Sequence, residues 1–122
     1  MKYYALVGVF FIVAYLLPLA GRPMVTPDEF RYAEIPREMI DRGDYVTPHL
    51  VNMRYFEKPV MGYWMTAGCF IVFGENAFAL RLPAALGAGL AALLAALLIQ
   101  QTLLDEKIAA LAAMLYLSFG MA

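Results

Sequence analysis

Two stretches of this chain carry no charged side chain: the nineteen residues between Lys2 and Arg22, and the twenty-three between Arg81 and Asp105. A helix rises roughly 1.5 Å per residue, so ~20 residues cover the ~30 Å of a bilayer core. Both stretches are long enough to span. The composition agrees, with 63% apolar and 16% charged residues, against ~45–50% and ~25% in soluble domains. Mean hydropathy is +0.68. A soluble globular domain and a disordered chain are both excluded. The net charge of −1 leaves no basic footprint for nucleic acid. Cys69 is the single cysteine, lies in an apolar run, and reads as a small buried hydrophobe.

The chain therefore reads as an all-α integral membrane protein. Residues 1–21 form a first membrane helix, retained as a signal anchor because its apolar run exceeds the ~7–15 residues of a cleaved signal peptide. Residues 82–104 form a second, and 105–107 a tight polar turn. Residues 108–122 are apolar or small throughout. They read as the start of a third membrane helix, and the chain as the N-terminal part of a longer protein.

Residues 22–58 hold thirteen of the nineteen charged side chains, six basic and seven acidic. That mixture, rich in Tyr, Phe and Ile, predicts a folded segment outside the membrane. Thr26 is placed as an N-cap, Pro27 at the first helical position and Glu29 three residues on, a capping box. The helix should run over 27–42 to a left-handed cap at Gly43, bent by Pro36. Residues 44–56 should be extended or irregular around Pro48 and Asn52. Residues 59–74 are apolar but short for a span. With Tyr63 and Trp64 near their start, they predict a helix lying in the membrane interface.

Two clusters could carry chemistry. Asp28 and Glu29 sit at the positive end of a helix dipole, where they read either as a reactive acidic pair or as capping residues. Arg54-Tyr55-Phe56-Glu57-Lys58 sets cations, a phenol and a carboxylate just before the short apolar helix. It reads either as a lipid-phosphate site or as a snorkelling interfacial cluster. Arg31 is spaced to pair with Glu34, and Arg81 reads as the polar flank of the long span.

The residues that carry a resemblance run through this whole region. They are Pro27-Asp28-Glu29 with Arg31-Tyr32-Ala33-Glu34-Ile35, Arg37-Glu38-Met39, Gly43-Asp44, Pro48 and Leu50, then Tyr55-Phe56-Glu57-Lys58-Pro59, Gly62-Tyr63-Trp64, Phe73-Gly74, Asn76, Phe78 and Arg81. Together they resemble the first external loop of bacterial GT-C glycosyltransferases that use polyprenyl-phosphate sugars. That branch includes the lipid A aminoarabinose transferases and bacterial relatives of the protein O-mannosyltransferases. Val60 after Pro59 and Met53 after Asn52 depart from its pattern.

The resemblance implies Asp28 as the catalytic carboxylate. It implies Lys58, with Arg31 and Tyr55, as the binders of the carrier phosphate. Glu29, Tyr32 and Arg81 would line the same cavity, and Glu57 would lie near a divalent metal. It implies a polyprenyl-phosphate-sugar donor and a lipid A, glycolipid or protein acceptor, with 4-amino-4-deoxy-L-arabinose transfer to lipid A foremost. No nucleotide cofactor is implied, and no phosphate-cradling glycine loop is present. The protein would be multi-pass in the bacterial inner membrane, with residues 22–81 periplasmic and the helices over 27–42 and 59–74 juxtamembrane. A plain count of basic residues instead puts that loop in the cytoplasm. A transporter fragment and a small non-catalytic membrane subunit remain alternatives. A transporter would set its ionisable groups inside its spans, whereas here they lie outside.

Overall fold

In the computed structural model, residues 1–119 are described, and the last three residues of the expected 108–122 helix lie outside them. Five α-helices and one small hairpin occur among the described residues. They are α1 Lys2–Phe11, α2 Asp28–Arg42, β1 His49–Leu50, β2 Met53–Arg54, α3 Val60–Phe73, α4 Ala77–Leu103 and α5 Glu106–Phe119. They divide into two compact units, Met1–Pro18 with the chain from Ala84 onward, and Leu19–Pro83.

In the first unit, α1 continues through a π-helical stretch, Ile12–Leu16, and a 3-10 turn, Leu17–Leu19. Pro18 has no N–H for the carbonyl one turn earlier, so the regular ladder breaks there. Lys2–Leu19 and Ala77–Leu103 are both long and apolar enough to cross a membrane. The α4 helix starts at Ala77, five residues before the expected 82, because Asn76 caps it: the Ala79 amide donates to Asn76 Oδ1 at 2.8 Å.

The core of this unit is made of small residues, Ala92, Ala96, Ala109 and Ala113, with Leu117; Tyr4, Val7, Phe11 and Tyr15 pack against it. Small side chains let helices approach closely where apolar surroundings supply no hydrophobic drive. Polar ties sit at the edges. The Tyr15 hydroxyl donates to the Leu117 carbonyl at 2.6 Å, and Asp105 caps α5 by accepting from the Lys107 amide at 2.8 Å.

Gly89 marks the tightest approach, since a Cβ there would lie 2.8 Å from the Phe11 ring, itself stacked on Tyr15 at 5.4 Å. Gly89→Val should therefore destabilise the protein by ~1–3 kcal/mol through overpacking. Thermal unfolding in detergent measures this, and Phe11→Leu in the same background should recover part of the loss.

In the second unit, α2 packs on α3. One cluster gathers Ile35, Met39 and Tyr63 with Leu50, Tyr55 and Val60. Another gathers Phe70, Ala79 and Leu80 with Ala33, Ile40 and Cys69. The α2 helix ends at Gly43, whose φ of 66° is left-handed as expected of that cap. Its start differs from the expected capping box. Pro27 occupies the cap position, no side chain caps the helix, and Thr26 plays no capping role. Glu29 reaches back all the same, but to the Val25 amide at 2.6 Å, because its carboxylate is held by Arg81.

The stretch after Gly43, expected to be extended or irregular, is extended in part and paired into a hairpin. Strands β1 and β2 pair antiparallel, His49 with Arg54 and Leu50 with Met53. Val51 and Asn52 turn between them, both at positive φ (52° and 64°), the pattern of a type I′ hairpin. That conformation is costly for a β-branched Val. Contacts from α2 hold it: the Asn52 amide donates to the Glu38 carboxylate at 3.3 Å, and the Arg42 guanidinium donates to Asn52 Oδ1. Glu38 is only 9% exposed. The hairpin is thus tied to the end of α2.

Candidate active site

The hairpin delivers the next residues back along α2 toward its first turn. The Tyr55 amide donates to the Pro48 carbonyl at 2.9 Å, closing the hairpin, and Pro59 starts α3. Between them runs Tyr55-Phe56-Glu57-Lys58. Side chains from the first turn of α2 meet this segment across a cavity of about 310 Å³. Its wall is formed by Asp28, Arg31, Tyr32, Tyr55, Glu57, Lys58 and Tyr63. Two sequence-distant clusters, around Asp28 and around Lys58, therefore share one space.

The polar groups of the wall are already organised. The Tyr55 hydroxyl donates to Glu57 Oε2 at 2.7 Å. That carboxylate raises the Tyr55 phenol above its ordinary pKa, so it stays a protonated donor. The Tyr32 hydroxyl does the same for Lys58, raising the ammonium above its ordinary value. The rings of Tyr32 and Tyr63 lie 6.1 Å apart at 37°, giving the cavity an aromatic side.

Of the expected site residues, Asp28, Arg31, Tyr32, Tyr55, Glu57 and Lys58 stand together on this wall. Arg31 is not spent on Glu34, which pairs with Arg37 at 2.8 Å. Glu29 and Arg81 stand apart from the other six: neither is among the residues that line this cavity. They pair with each other instead, Arg81 Nε to Glu29 Oε1 at 2.7 Å. Neighbouring helical residues diverge by about 100°, so Asp28 and Glu29 serve different partners. Tyr63 is the lining residue that sequence reasoning missed. Placed near the start of a short apolar helix, it reads as an interfacial aromatic, whereas it is 2% exposed and packs on Ile35 and Met39. Among the described residues no three His, Cys, Asp or Glu side chains come together as a metal site.

The Arg81 hydrogen bond lowers the Glu29 carboxyl from 4.5 to about 2, with the Val25 amide adding and burial opposing. The folded-state value is depressed, so the pair's stabilisation is complete above pH ~4.5 and fades as pH falls toward 2. Allowing for solvent screening, it is worth about 2 kcal/mol. The stability gap between wild type and Glu29→Gln should be constant from pH 7 to 5 and close between pH 4.5 and 2. Thermal unfolding across that range measures it.

The helical fold is that of the all-α, membrane-spanning GT-C class. Residues 1–121 match the family described as dolichyl-phosphate-mannose-protein mannosyltransferase, and the chain belongs to that family. Among its relatives is an undecaprenyl phosphate-alpha-4-amino-4-deoxy-L-arabinose arabinosyl transferase of Pseudomonas fluorescens. It is 48% identical over 107 residues, 88% of this chain and 18% of that protein. The enzyme of the same name from Serratia proteamaculans is 46% identical over 113 residues, 93% of this chain and 20% of that one. Crystal structures of ArnT from Cupriavidus metallidurans, apo and bound to undecaprenyl phosphate, superpose with a TM-score of 0.75 at 30% identity. They cover 93% of this chain and 23% of theirs. The chain thus spans about a fifth of the length of these relatives.

Proposed function

We propose that this chain supplies part of the donor site of a membrane glycosyltransferase that takes its sugar from a polyprenyl-phosphate carrier. The observation that carries the reading is the single cavity in which Lys58 and Arg31 face Asp28. A sugar leaving a lipid phosphate builds negative charge on the departing oxygen. Lys58 and Arg31 stabilise that charge, and the Tyr55 hydroxyl adds a third donor when it turns from Glu57 to the phosphate. Asp28 takes the proton of a hydroxyl acceptor, or orients an acceptor phosphate that is already anionic. The bond that breaks joins the sugar's anomeric carbon to the carrier phosphate, and the bond that forms joins that carbon to the acceptor oxygen. The relatives' names support an undecaprenyl-phosphate-linked aminoarabinose donor. Lipid A is the acceptor favoured, with another glycolipid or a protein as alternatives. Glu57 would contribute to a metal only with donors from beyond the described residues.

The test is transfer by the full-length protein in proteoliposomes. Sugar should move from polyprenyl phosphate to lipid A with release of polyprenyl phosphate, and no release with any acceptor would overturn the reading.

The same reading places residues 22–81 on the periplasmic face of the inner membrane, against the basic-residue count, because the six cations of 22–58 are matched by seven acids within a folded element. Val46 is 78% exposed and serves as the probe. In a Cys69→Ala background, Val46→Cys should react with a membrane-impermeant maleimide in cells whose inner membrane is intact. Reaction only after that membrane is opened would put the loop in the cytoplasm.

A further inference from the structure

Arg81 lies in the first turns of α4, yet its whole side chain serves the segment that leads into α2. Nε and one Nη bind both oxygens of Glu29, at 2.7 and 2.8 Å. The remaining N–H groups donate to the carbonyls of Leu19 at 2.9 Å, Arg22 at 3.0 Å and Pro23 at 3.0 Å. All five guanidinium donors are therefore used. The head group is largely covered, with 15% of the side chain exposed. Glu29 adds the Val25 amide at 2.6 Å. Three carbonyls of the 19–23 segment and, through Glu29, the first turn of α2 are gathered on one planar cation.

Residues 20–28 are exposed and lack regular structure before Asp28. The rest of α2 is anchored differently, by Ile35 and Met39 against Tyr63 and by Ala33 and Ile40 against Phe70. The clamp thus governs one end of α2 alone. Its neighbour in sequence, Asp28, is the carboxylate on the cavity wall, while Lys58 and Tyr55 come from the hairpin and the start of α3.

We propose that Arg81, acting through Glu29, is a positioning residue that sets Asp28 in the cavity without itself reaching the donor. The inference rests on the donor-site reading. It requires that loss of the clamp affect the chemical step far more than carrier binding, since Lys58 and Tyr55 stand on the segment between the hairpin and α3, which the clamp does not hold. Misplacement of a reacting group by about 1 Å costs ~100-fold in rate.

The experiment compares wild type, Arg81→Gln, Arg81→Lys, Glu29→Gln and the Arg81→Gln/Glu29→Gln double variant of the full-length protein. It measures kcat, the dissociation constant for undecaprenyl phosphate and thermal stability. Expected is a fall in kcat of roughly 10- to 100-fold in Arg81→Gln, with carrier affinity within about threefold. Arg81→Lys should not rescue it, because an ammonium cannot reach four carbonyl and carboxylate partners in one plane. The double variant should be no slower than the worse single, as two members of one unit behave. Unchanged kcat in Arg81→Gln overturns the proposal. So does an equal loss of kcat and carrier affinity, or a double variant whose loss is the product of the singles. Asp28→Asn and Lys58→Ala, run alongside, separate the two failures. If they too are silent, the donor-site reading has failed; if they are impaired and Arg81→Gln is not, only the clamp has.

Discussion

Asp28→Asn in the full-length protein is expected to slow sugar transfer by a factor of roughly a hundred or more, with carrier binding within a few-fold of wild type. Asn keeps the shape of the side chain and its place in the first turn of α2, so the cavity wall is preserved. What it loses is the negative charge and the capacity to accept a proton. A hydroxyl acceptor needs both in the transition state and neither in the donor complex, which is why the loss belongs to kcat. With a phosphate acceptor the proton is not at issue, and a smaller fall is expected because only orientation suffers. Comparing the variant on both acceptor types separates the two roles of Asp28. Near wild-type turnover on both would mean that Asp28 only complements the helix dipole.

Lys58→Ala should act on the carrier as well as on the rate. Its ammonium stands beside the Tyr32 hydroxyl on the cavity wall. A charge-assisted contact to phosphate is worth ~1.5–3 kcal/mol, or roughly 10- to 100-fold in affinity. The rate should fall too, because negative charge on the phosphate grows as the sugar leaves. Lys58→Arg keeps the charge on a different fork and should restore part of the binding. Titration with undecaprenyl phosphate alone measures the first effect and single-turnover transfer the second. Full carrier affinity in Lys58→Ala would remove Lys58 from the phosphate.

The two long apolar helices were legible because charge is excluded from hydrocarbon, so uncharged runs of nineteen and twenty-three residues mark segments long enough to cross a membrane. The end of α2 was legible from a glycine at the one position where positive φ is required. The start of α2 was only half legible. Glu29 does reach back to a backbone amide, but its partner is Val25 and not Thr26. Local spacing could not reveal that an arginine 52 residues away competes for the same carboxylate.

The hairpin was hidden because its turn puts Val51 where Gly or Asn is usual. The stabilising contacts come from Glu38 and Arg42 on another element. Tyr63 was hidden for a related reason: a tyrosine at the start of an apolar helix has the same local signature whether it faces lipid or a cavity. The meeting of Asp28 with Lys58 followed from no periodicity at all. Family resemblance alone joined them beforehand, and the tied hairpin now gives that juxtaposition a physical cause.

The most direct test is to find where the carrier phosphate lies. A polyprenyl-phosphate probe with a diazirine next to its phosphate would be crosslinked to the full-length protein and the adducts mapped by mass spectrometry. The cavity predicts adducts on peptides containing residues 28–32 and 55–63, competed away by unlabelled undecaprenyl phosphate and diminished in Lys58→Ala. Competable adducts found only elsewhere in the protein, with none on either peptide, would contradict it.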